Sequence, residues 1–573
     1  MTHWGRWLPL AWSGVLAVLL LGPVLGPGFV LSYDMVWVPD LTMRADFLGV
    51  GSGLPRAVPS DAVVAALDLV LPGMLVQKLL LVLALLGGGW GAARLLPPES
   101  VAARVVAVSV YQWNPFVVER LLLGHWPVLV GYAVLPWVIL AARRWRDDAR
   151  LPLLLLLLLP LGSLSASAGL ATATVLLAFT VARTELRRTA LAAALAVAAN
   201  LPWLVSGLLH ASTAFTDPGG AEAFALGGAG SVPGPVTALG LGGIWNVEVL
   251  LPSRTGPLGW AYVVAVVALA ALGLRAWWAR AERREALALV GCWAAGYALA
   301  LLTWAAPGAM AWLVTQVPGA GLLRDGARAL ALCAPLLAVA AAEGSSVLRR
   351  RLPEGIVPRT VAAGVVAVLP VMLLPDAALG LSGRLAAVTF PTSYAEARSA
   401  VLAEPADQGD VLVLPLTSYR QPAWNDGRKV LDPIGRYLPR DFVASDDLVV
   451  SGDLVPGEDP RVAAVARALG AATPIARARA LVTEGIGFVV VETDAAGGAP
   501  EPAGRVLLDS GGLRLLQLEG ARAPEIPGGW RIAMGLAWTA YVGLVAVGLV
   551  GGLGRAVRRR RGTPWQRGAP PLR

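Results

Sequence analysis

Apolar runs of about 20 residues recur along this chain, and their length constrains the fold more than any other feature. A helix of about 20 residues spans the hydrocarbon core of a bilayer. With 56% hydrophobic and 15% charged residues among 573, the composition is typical of a chain whose helices face lipid. The sequence therefore predicts a mostly α-helical, polytopic membrane protein.

Length and hydropathy predict about twelve spans, with both termini in the cytoplasm. We expect the first run to be an uncleaved span, because it follows Arg6 and lacks an Ala-x-Ala cleavage pattern. The candidate cores are residues 8–30, 73–95, 101–118, 126–142, 151–166, 168–183, 189–208, 258–276, 286–304, 327–343, 357–374 and 531–553.

Clusters of arginine at alternate ends of the spans set the predicted orientation, because cytoplasmic loops are enriched in basic residues. The clusters are Arg143-Arg144-Trp145-Arg146, Arg183 with Arg187-Arg188, Arg280 with Arg283-Arg284, Arg349-Arg350-Arg351, and Arg555 with Arg558 to Arg561. Membrane topology explains the net charge of +9 better than nucleic-acid binding does. The segments predicted outside are residues 31–72, the turn around Glu119 to His125, residues 209–257 and residues 375–530.

The predicted domains follow from this orientation. Residues 1–374 form a transmembrane domain of about eleven spans with 31–72 as its first outer loop, residues 531–553 the last helix, and residues 554–573 a basic cytoplasmic tail. In residues 375–530, short apolar runs at 411–414, 487–491 and 513–516 alternate with helix-like patterns at 394–403 and 461–480. This pattern predicts a small extracytoplasmic α/β domain.

Several functional classes lack their motifs here. The two cysteines, Cys292 and Cys333, lie inside apolar runs, so we expect packing residues rather than a disulfide or a thiolate metal site. The chain has no phosphate-binding glycine-rich loop, zinc-ligand spacing or serine nucleophile elbow, which argues against an ATP-driven pump.

Two carboxylates stand just outside the first span, at Asp34 and Asp40, with Trp37 at interface height. Acids at the mouth of a span are costly to desolvate and therefore point to a site. Either acid can serve as general base or can bind a divalent cation such as Mg²⁺ or Mn²⁺. The alternative is a pair of interfacial loop acids that cap a short helix. Three further acids of this loop fit solvated faces of surface helices: Asp46, Asp61 and Asp68.

A second group of polar residues lies in a predicted outer hairpin and consists of Asn114, Glu119, Arg120 and His125. We expect these side chains to reach the same membrane level as Asp34 and, together with Trp37 and Asp325, to bind substrate. Adjacent Glu and Arg point in different directions on a helix, so at least one of them faces inward. An interfacial histidine with a local partner is the alternative reading of His125.

A third group lies at the predicted outer start of the tenth span. Arg324 and Arg328 are four residues apart, on one face of a helix, around Asp325. Two guanidinium groups and a helix N-terminus suit a phosphate, so the spacing predicts a clamp for a lipid phosphate. Snorkelling interfacial arginines are the alternative.

A fourth group follows the first predicted strand of the outer domain. Its aromatic, amide and guanidinium side chains suit a carbohydrate or sugar-phosphate ligand. A solvated turn ending in Asp-Gly is an equally good reading. The residues that we select from it are Tyr419, Arg420, Trp424 and Asn425.

Together these features resemble the C-type (GT-C) membrane glycosyltransferases, and most closely the actinobacterial arabinofuranosyltransferases and mannosyltransferases of the cell envelope. The resemblance rests on Tyr33-Asp34 and Asp40 after the first span, on many further spans with Arg324-Asp325 before a late one, and on a C-terminal outer domain. It implies a polyprenyl-phosphate sugar donor, a glycan or glycolipid acceptor and inverting transfer outside the cytoplasm. It also implies Asp34 as base or metal-site acid, often with a divalent cation. Asp34 and Asp40 depart from the adjacent acidic pair of the family.

A non-catalytic membrane scaffold, or a transporter or flippase of lipid-linked sugars, is the alternative. Charged residues are nearly absent from the middles of the spans, where coupling sites of transporters lie, and no inverted repeat is evident. The sequence therefore favours the transferase over the transporter, and it leaves the scaffold open.

Overall fold

The structure is a computed structural model that describes residues 5, 7–182, 184–212, 217–352, 359–450, 452–495, 498 and 500–561. Arg6, Arg183 and the tail from residue 562 onward, which entered the predictions above, lie outside the described residues.

Eight helices of the described residues are long and apolar enough to cross a membrane. Six of them have less than 40% of their apolar windows buried inside the protein, so most of their apolar surface is available to lipid. The helices from Trp126 and from Gly326 are the most enclosed, with 78% and 94% of their apolar windows buried, and so form the centre of the bundle. The eight are Leu8–Leu25, Gly73–Arg94, Trp126–Asp148, Leu186–His210, Pro257–Trp278, Arg283–Ala305, Gly326–Arg351 and Gly528–Arg555.

The remaining predicted spans fall on shorter or broken helices. Thr360–Leu373 and Pro375–Ser382 form one apolar pair bent by 75°, while Leu153–Gly162 and Ala166–Thr180 are shorter apolar helices. The predicted span 101–118 is divided into Val101–Gln112 and Pro115–Leu122, because Pro115 begins a new helix capped by Asn114. All twelve predicted cores overlap helices, and the number of membrane crossings stays a prediction.

The predicted outer segments contain short elements. Residues 31–72 include the helix Ser60–Asp68, and residues 209–257 include Gly219–Ala223, Gly234–Leu239 and Pro252–Thr255 with the 3-10 turn Val247–Val249. The interpretation of Asp61 as a solvated acid is wrong: its side chain is 6% exposed and lies 2.5 Å from Arg436. A buried carboxylate needs such a partner, and Arg436 comes from a distant part of the chain.

Residues 375–530, which we call the C-terminal domain, contain a five-stranded mixed sheet, as their short apolar runs predicted. The parallel part of the sheet joins Asp410–Leu414 to Phe442–Val443 and to Ile486–Glu492. The antiparallel hairpin Arg505–Ser510 and Leu513–Gln517 completes the sheet beside Ile486–Glu492. Helices Thr392–Leu402, Pro460–Leu469 and Pro474–Thr483 accompany the strands. Every residue of the strands Asp410–Leu414 and Ile486–Glu492 is buried, which explains their apolar runs at 411–414 and 486–491.

Small pairings connect this domain to the rest of the chain. Strand Phe29–Val30, after the first span, pairs with Ala387–Val388. A two-stranded ribbon, Tyr419–Arg420 with Val430–Leu431, lies against the loop of residues 31–72, where Tyr33 bridges Val430. Other described elements are Pro307–Gln316, Ile434–Tyr437, Leu448–Val450, Asp453–Val455 and the 3-10 segments Gly22–Leu25, Ala320–Leu323, Gly326–Cys333, Pro375–Ala377 and Ala423–Asn425. Cys292 and Cys333 are free and buried, as expected of packing residues.

Candidate active site

The loop that carries Asp34 is held on one side by the hairpin of residues 113–125. The Ser32 hydroxyl donates to the carbonyl of Leu122 at 2.5 Å, and the Asp34 amide donates to the carbonyl of Leu123 at 3.1 Å. The Ser32 side chain and the Asp34 backbone both form hydrogen bonds to the hairpin. These bonds therefore position the loop independently of the Asp34 carboxylate.

On its other side the same loop is held by the C-terminal domain. The Tyr33 amide donates to the carbonyl of Lys429, and the Leu431 amide donates to the carbonyl of Tyr33, each at 2.8 Å. Tyr33 adopts a φ of 44°, in the left-handed region that costs a residue with a Cβ about 1–3 kcal/mol. The two backbone hydrogen bonds stabilise this strained conformation.

The carboxylate of Asp34 accepts hydrogen bonds from both of these neighbours. His125 of the hairpin lies 3.1 Å from Oδ2, and the hydroxyl of Tyr419, from the C-terminal domain, donates to Oδ1 at 2.6 Å. The side chain of Asp34 remains 41% exposed. Three distant segments therefore meet at one accessible carboxylate.

The contacts of His125 determine which of its nitrogens carries the proton. A guanidinium nitrogen of Arg120 lies 3.3 Å from Nδ1, and because guanidinium groups only donate, Nδ1 accepts. The proton is then on Nε2, which donates to Asp34. Burial and the positive charge of Arg328 lower the pKa of His125, in agreement with a neutral ring.

Behind the histidine lies a chain of charges formed by Arg120, Asp325 and Arg328. Oδ2 of Asp325 is 3.4 Å from Arg120 and 2.8 Å from Nε of Arg328. Burial opposes ionisation of Asp325, but the two guanidinium groups outweigh it and lower its pKa to about 2. With two cations against one anion, this group carries an excess positive charge beside Asp34.

The same surroundings keep Asp34 ionised. Burial acts to raise its pKa, yet the hydrogen bonds from His125 and Tyr419 and the charge of Arg328 together lower it. Asp34 is therefore a carboxylate at neutral pH, able to accept a proton.

Glu119 and Arg120 point in different directions, as their adjacency predicted, and both are buried. Arg120 faces Asp325, whereas Glu119 lies near Arg254. Burial raises the pKa of Glu119 to about 7, although Arg254 and Arg120 oppose the change. Within the described contacts, Glu119 does not touch Asp34 or His125.

Two other predicted site residues make structural contacts near the hairpin. Asn114 caps the helix Pro115–Leu122 by accepting from the Val117 amide at 3.0 Å, and its amide nitrogen donates to Val110, Tyr111 and Tyr132. Trp37 is buried and packs against Trp126, with ring centroids 5.3 Å apart. Substrate contact by either residue stays a prediction.

The expected helical face that joins Arg324 and Arg328 does not exist. Asp325 has ψ of 76° and separates two 3-10 segments, so the four-residue spacing does not align the two side chains. Arg324 instead forms an ion pair with Glu458 of the C-terminal domain and stacks over Phe224, 4.6 Å from the ring centroid. A phosphate role for Arg324 stays a prediction.

Three of the four residues predicted after the first strand of this domain do not contact Asp34. Arg420 is 2.9 Å from Asp432 and 3.0 Å from Glu492. Trp424 packs edge-on against Tyr394, and Asn425 is fully buried, donating to the carbonyls of Arg428 at 3.0 Å and of Leu31 at 3.5 Å. Tyr419 alone of the four contacts Asp34, and the ligand contacts predicted for the other three stay predictions.

Asp34 and Asp40 do not fit a shared divalent cation. Both oxygens of Asp34 accept hydrogen bonds, while Asp40 is exposed and lies near Asp68. Burial raises the pKa of Asp68, and the charge of Asp40 adds to this effect. Among the described residues, no group of three or more His, Cys, Asp or Glu is placed to hold a metal ion.

Two residues that were not among the site residues selected from the sequence, Glu248 and Lys429, meet beside the loop of Asp34. The Glu248 carboxylate accepts from the Tyr33 hydroxyl at 2.7 Å and lies 2.7 Å from the Lys429 ammonium. The segment Trp245 to Glu248 is polar and aromatic, like the hairpin, and Lys429 is one of two lysines in an arginine-rich chain. These were the available signals, but the sequence does not reveal that the two residues meet.

The comparisons with known proteins bear on the fold. No protein-family model and no curated sequence matches the chain. The structure is similar to the cryo-EM structure of a mutant of arabinofuranosyltransferase AftD from mycobacteria, with 16% sequence identity and a TM-score of 0.53. The similarity covers 91% of this chain and 42% of that one, so this chain spans less than half the length of that enzyme. The predicted resemblance to the C-type membrane glycosyltransferases is therefore confirmed at the level of the fold.

Proposed function

We propose that this protein is a membrane glycosyltransferase that moves a sugar from a polyprenyl-phosphate donor to a cell-envelope glycan or glycolipid. In this proposal the chain lies in the plasma membrane with Asp34 on the extracytoplasmic side. One observation carries it: an ionised, accessible carboxylate fixed by His125 and Tyr419 lies next to the positively charged group of Arg120, Asp325 and Arg328. The shared fold with a mycobacterial arabinofuranosyltransferase supports this class of reaction.

The proposed reaction is a single inverting displacement. The acceptor hydroxyl attacks the anomeric carbon, the bond from that carbon to the phosphate oxygen breaks, and Asp34 takes the hydroxyl proton. Asp34 is a weak base, so the proton moves late, when bond formation has made the hydroxyl acidic. The exposed part of the Asp34 side chain then releases the proton to water.

The leaving group is a polyprenyl phosphate, whose negative charge grows as the bond breaks. Arg328, with a side chain one-third exposed, is the member of the charge group that reaches the surface. Arg120 is 1% exposed and acts through its charge. A positive potential fixed in advance stabilises the transition state without reorganisation. We derive no step through a divalent cation, because Asp34 and Asp40 do not share a site.

The test uses purified protein in lipid nanodiscs with labelled polyprenyl-phosphate arabinofuranose or mannose and a matching oligosaccharide acceptor. Asp34→Asn keeps the size of the side chain and removes its basicity, so we expect transfer to be abolished with normal expression. Asp40→Asn is the matched control and is expected to retain transfer. Near-parental transfer by Asp34→Asn would remove the base assignment, and no transfer by the parent protein with either donor would favour a scaffold.

A further inference from the structure

Glu248 is an exposed carboxylate held in place by three separate segments of the chain. Its side chain is 52% exposed, and it accepts hydrogen bonds from Tyr33 of the first outer loop and from Lys429 of the C-terminal domain. Arg384 donates to the main-chain carbonyl of Glu248 and to that of Leu250, which fixes the backbone there. An exposed glutamate is normally mobile, whereas this one has a defined position.

The position of Glu248 relates directly to Asp34. The ring of Tyr33 packs edge-on against the ring of Tyr419, with centroids 5.7 Å apart. Tyr419 donates to Asp34, and Tyr33 donates to Glu248. The two accessible carboxylates therefore lie on either side of one pair of tyrosine rings.

The two sides differ in the charged groups that a ligand can reach. Beside Asp34, the guanidinium side chain of Arg328 is one-third exposed, with the buried Arg120 behind it, which suits a phosphate. Around Glu248, the ammonium of Lys429 cancels the carboxylate, and the N–H groups of Arg384 that are accounted for bind carbonyls. The exposed carboxylate of Glu248 and the ammonium of Lys429, 27% exposed, present hydrogen-bond acceptors and donors together, which is what the hydroxyl groups of a sugar require.

We propose that Glu248 and Lys429, positioned by the buried Tyr33, form the subsite that binds the acceptor sugar beside Asp34. This inference rests on the proposed transferase function and names the substrate that binds on this side of the tyrosine pair. Glu248 and Lys429 bind hydroxyl groups of the acceptor, and the reacting hydroxyl is thereby presented to Asp34.

The variant Glu248→Gln tests the subsite, because its amide still accepts from Tyr33 but loses the charge that pairs with Lys429. A lost charge-assisted hydrogen bond weakens binding by about tenfold or more. We expect the acceptor KM to rise by that factor, with kcat and the donor KM unchanged. Glu501→Gln is the matched control, since Glu501 forms a similarly exposed ion pair with Arg514 at 3.1 Å within the C-terminal domain.

An acceptor KM equal to that of Glu501→Gln would overturn the proposal. The ion pair of Glu248 and Lys429 would then only hold two segments of the chain together. A rise in the donor KM instead of the acceptor KM would overturn it too. Lys429→Met provides a second variant with the same expected result, should Glu248→Gln not fold.

A binding measurement separates this proposal from the transferase proposal. Linear arabino- and manno-oligosaccharides are titrated into the Asp34→Asn protein, with and without Glu248→Gln, and followed by tryptophan fluorescence. Weaker binding with Glu248→Gln supports the subsite even if the parent protein transfers no sugar. Equal binding by the two proteins, or no binding by the protein that carries Asp34→Asn alone, overturns the subsite even if the parent protein transfers sugar.

Discussion

The hydrogen bond from Tyr419 to Asp34 makes a quantitative prediction, because it joins a tyrosine of the C-terminal domain to the proposed base. Tyr419→Phe removes only the hydroxyl, and the ring contact with Tyr33 remains. A hydrogen bond of 2.6 Å to a charged group contributes about 1.5–3 kcal/mol. The side chain of Asp34 is 41% exposed, so water screens part of this interaction energy. We therefore assign the hydrogen bond about 1.4 kcal/mol, which corresponds to about one pKa unit of Asp34.

The direction follows from the lowered pKa of Asp34. The hydrogen bond favours the carboxylate, so its loss raises the pKa. The acid limb of the pH profile of kcat/KM for transfer is then expected to move to higher pH by about one unit. The hydrogen bond also stabilises the folded protein above the pKa of Asp34 in the unfolded chain, about 3.9, and this stabilisation is lost as pH falls through the pKa of Asp34 in the folded protein. Tyr419→Phe is therefore less stable than the parent near neutral pH.

The matched control is Tyr394→Phe. Tyr394 also donates to a carboxylate of the same domain, Glu492, at 3.3 Å, but it does not contact Asp34. An acid limb that stays in place in Tyr419→Phe, or that moves equally in Tyr394→Phe, would refute the reasoning that Tyr419 tunes the base.

Three further outcomes are expected. Arg420→Met leaves the buried acids Asp432 and Glu492 without their cation and lowers the free energy of unfolding by about 3–5 kcal/mol, seen as a lower thermal midpoint than in the parent. Gly124→Ala abolishes transfer, because the new Cβ would lie 2.2 Å from the Met35 amide nitrogen and displace the loop of Asp34, and because φ is 78° at this position. Gly87→Ala is the control and retains transfer, since its Cβ would lie in open space. Arg328→Ala raises the donor KM with the acceptor KM unchanged, whereas Arg324→Ala leaves the donor KM near the parental value because Arg324 pairs with Glu458. An equal rise of the donor KM in both variants would support the clamp of two arginines that the sequence predicted.

The sequence predicted the parts of the structure that depend on local patterns. Apolar length located the helices, and alternating short runs located the strands of the C-terminal domain. Asp34, Arg120 and His125 were selected because polar residues at the ends of spans are costly, and the structure brings these three together.

The remainder could not be predicted because it depends on contacts between distant segments. Tyr419 and Asp34 are 385 residues apart, and no local pattern specifies their meeting. The arginine pair failed for a local reason: Arg324 and Arg328 share a face only in a continuous α-helix, and the chain breaks at Asp325. Asn114 was selected as a polar residue at the level of Asp34, but Asn directly before Pro is also typical of a helix start, and Asn114 caps the helix Pro115–Leu122.

The pairing of the loop of Tyr33 with the C-terminal domain has a consequence for biosynthesis. The backbone partners of Tyr33 are Lys429 and Leu431, and strand Phe29–Val30 pairs with Ala387–Val388. A ribosome synthesises the early helices long before these partners emerge, so this side of the loop has no partner through most of translation. A chain interrupted before residue 419 would contain Asp34 and His125 but would lack Tyr419, so the proposed activity requires that synthesis has run past that residue.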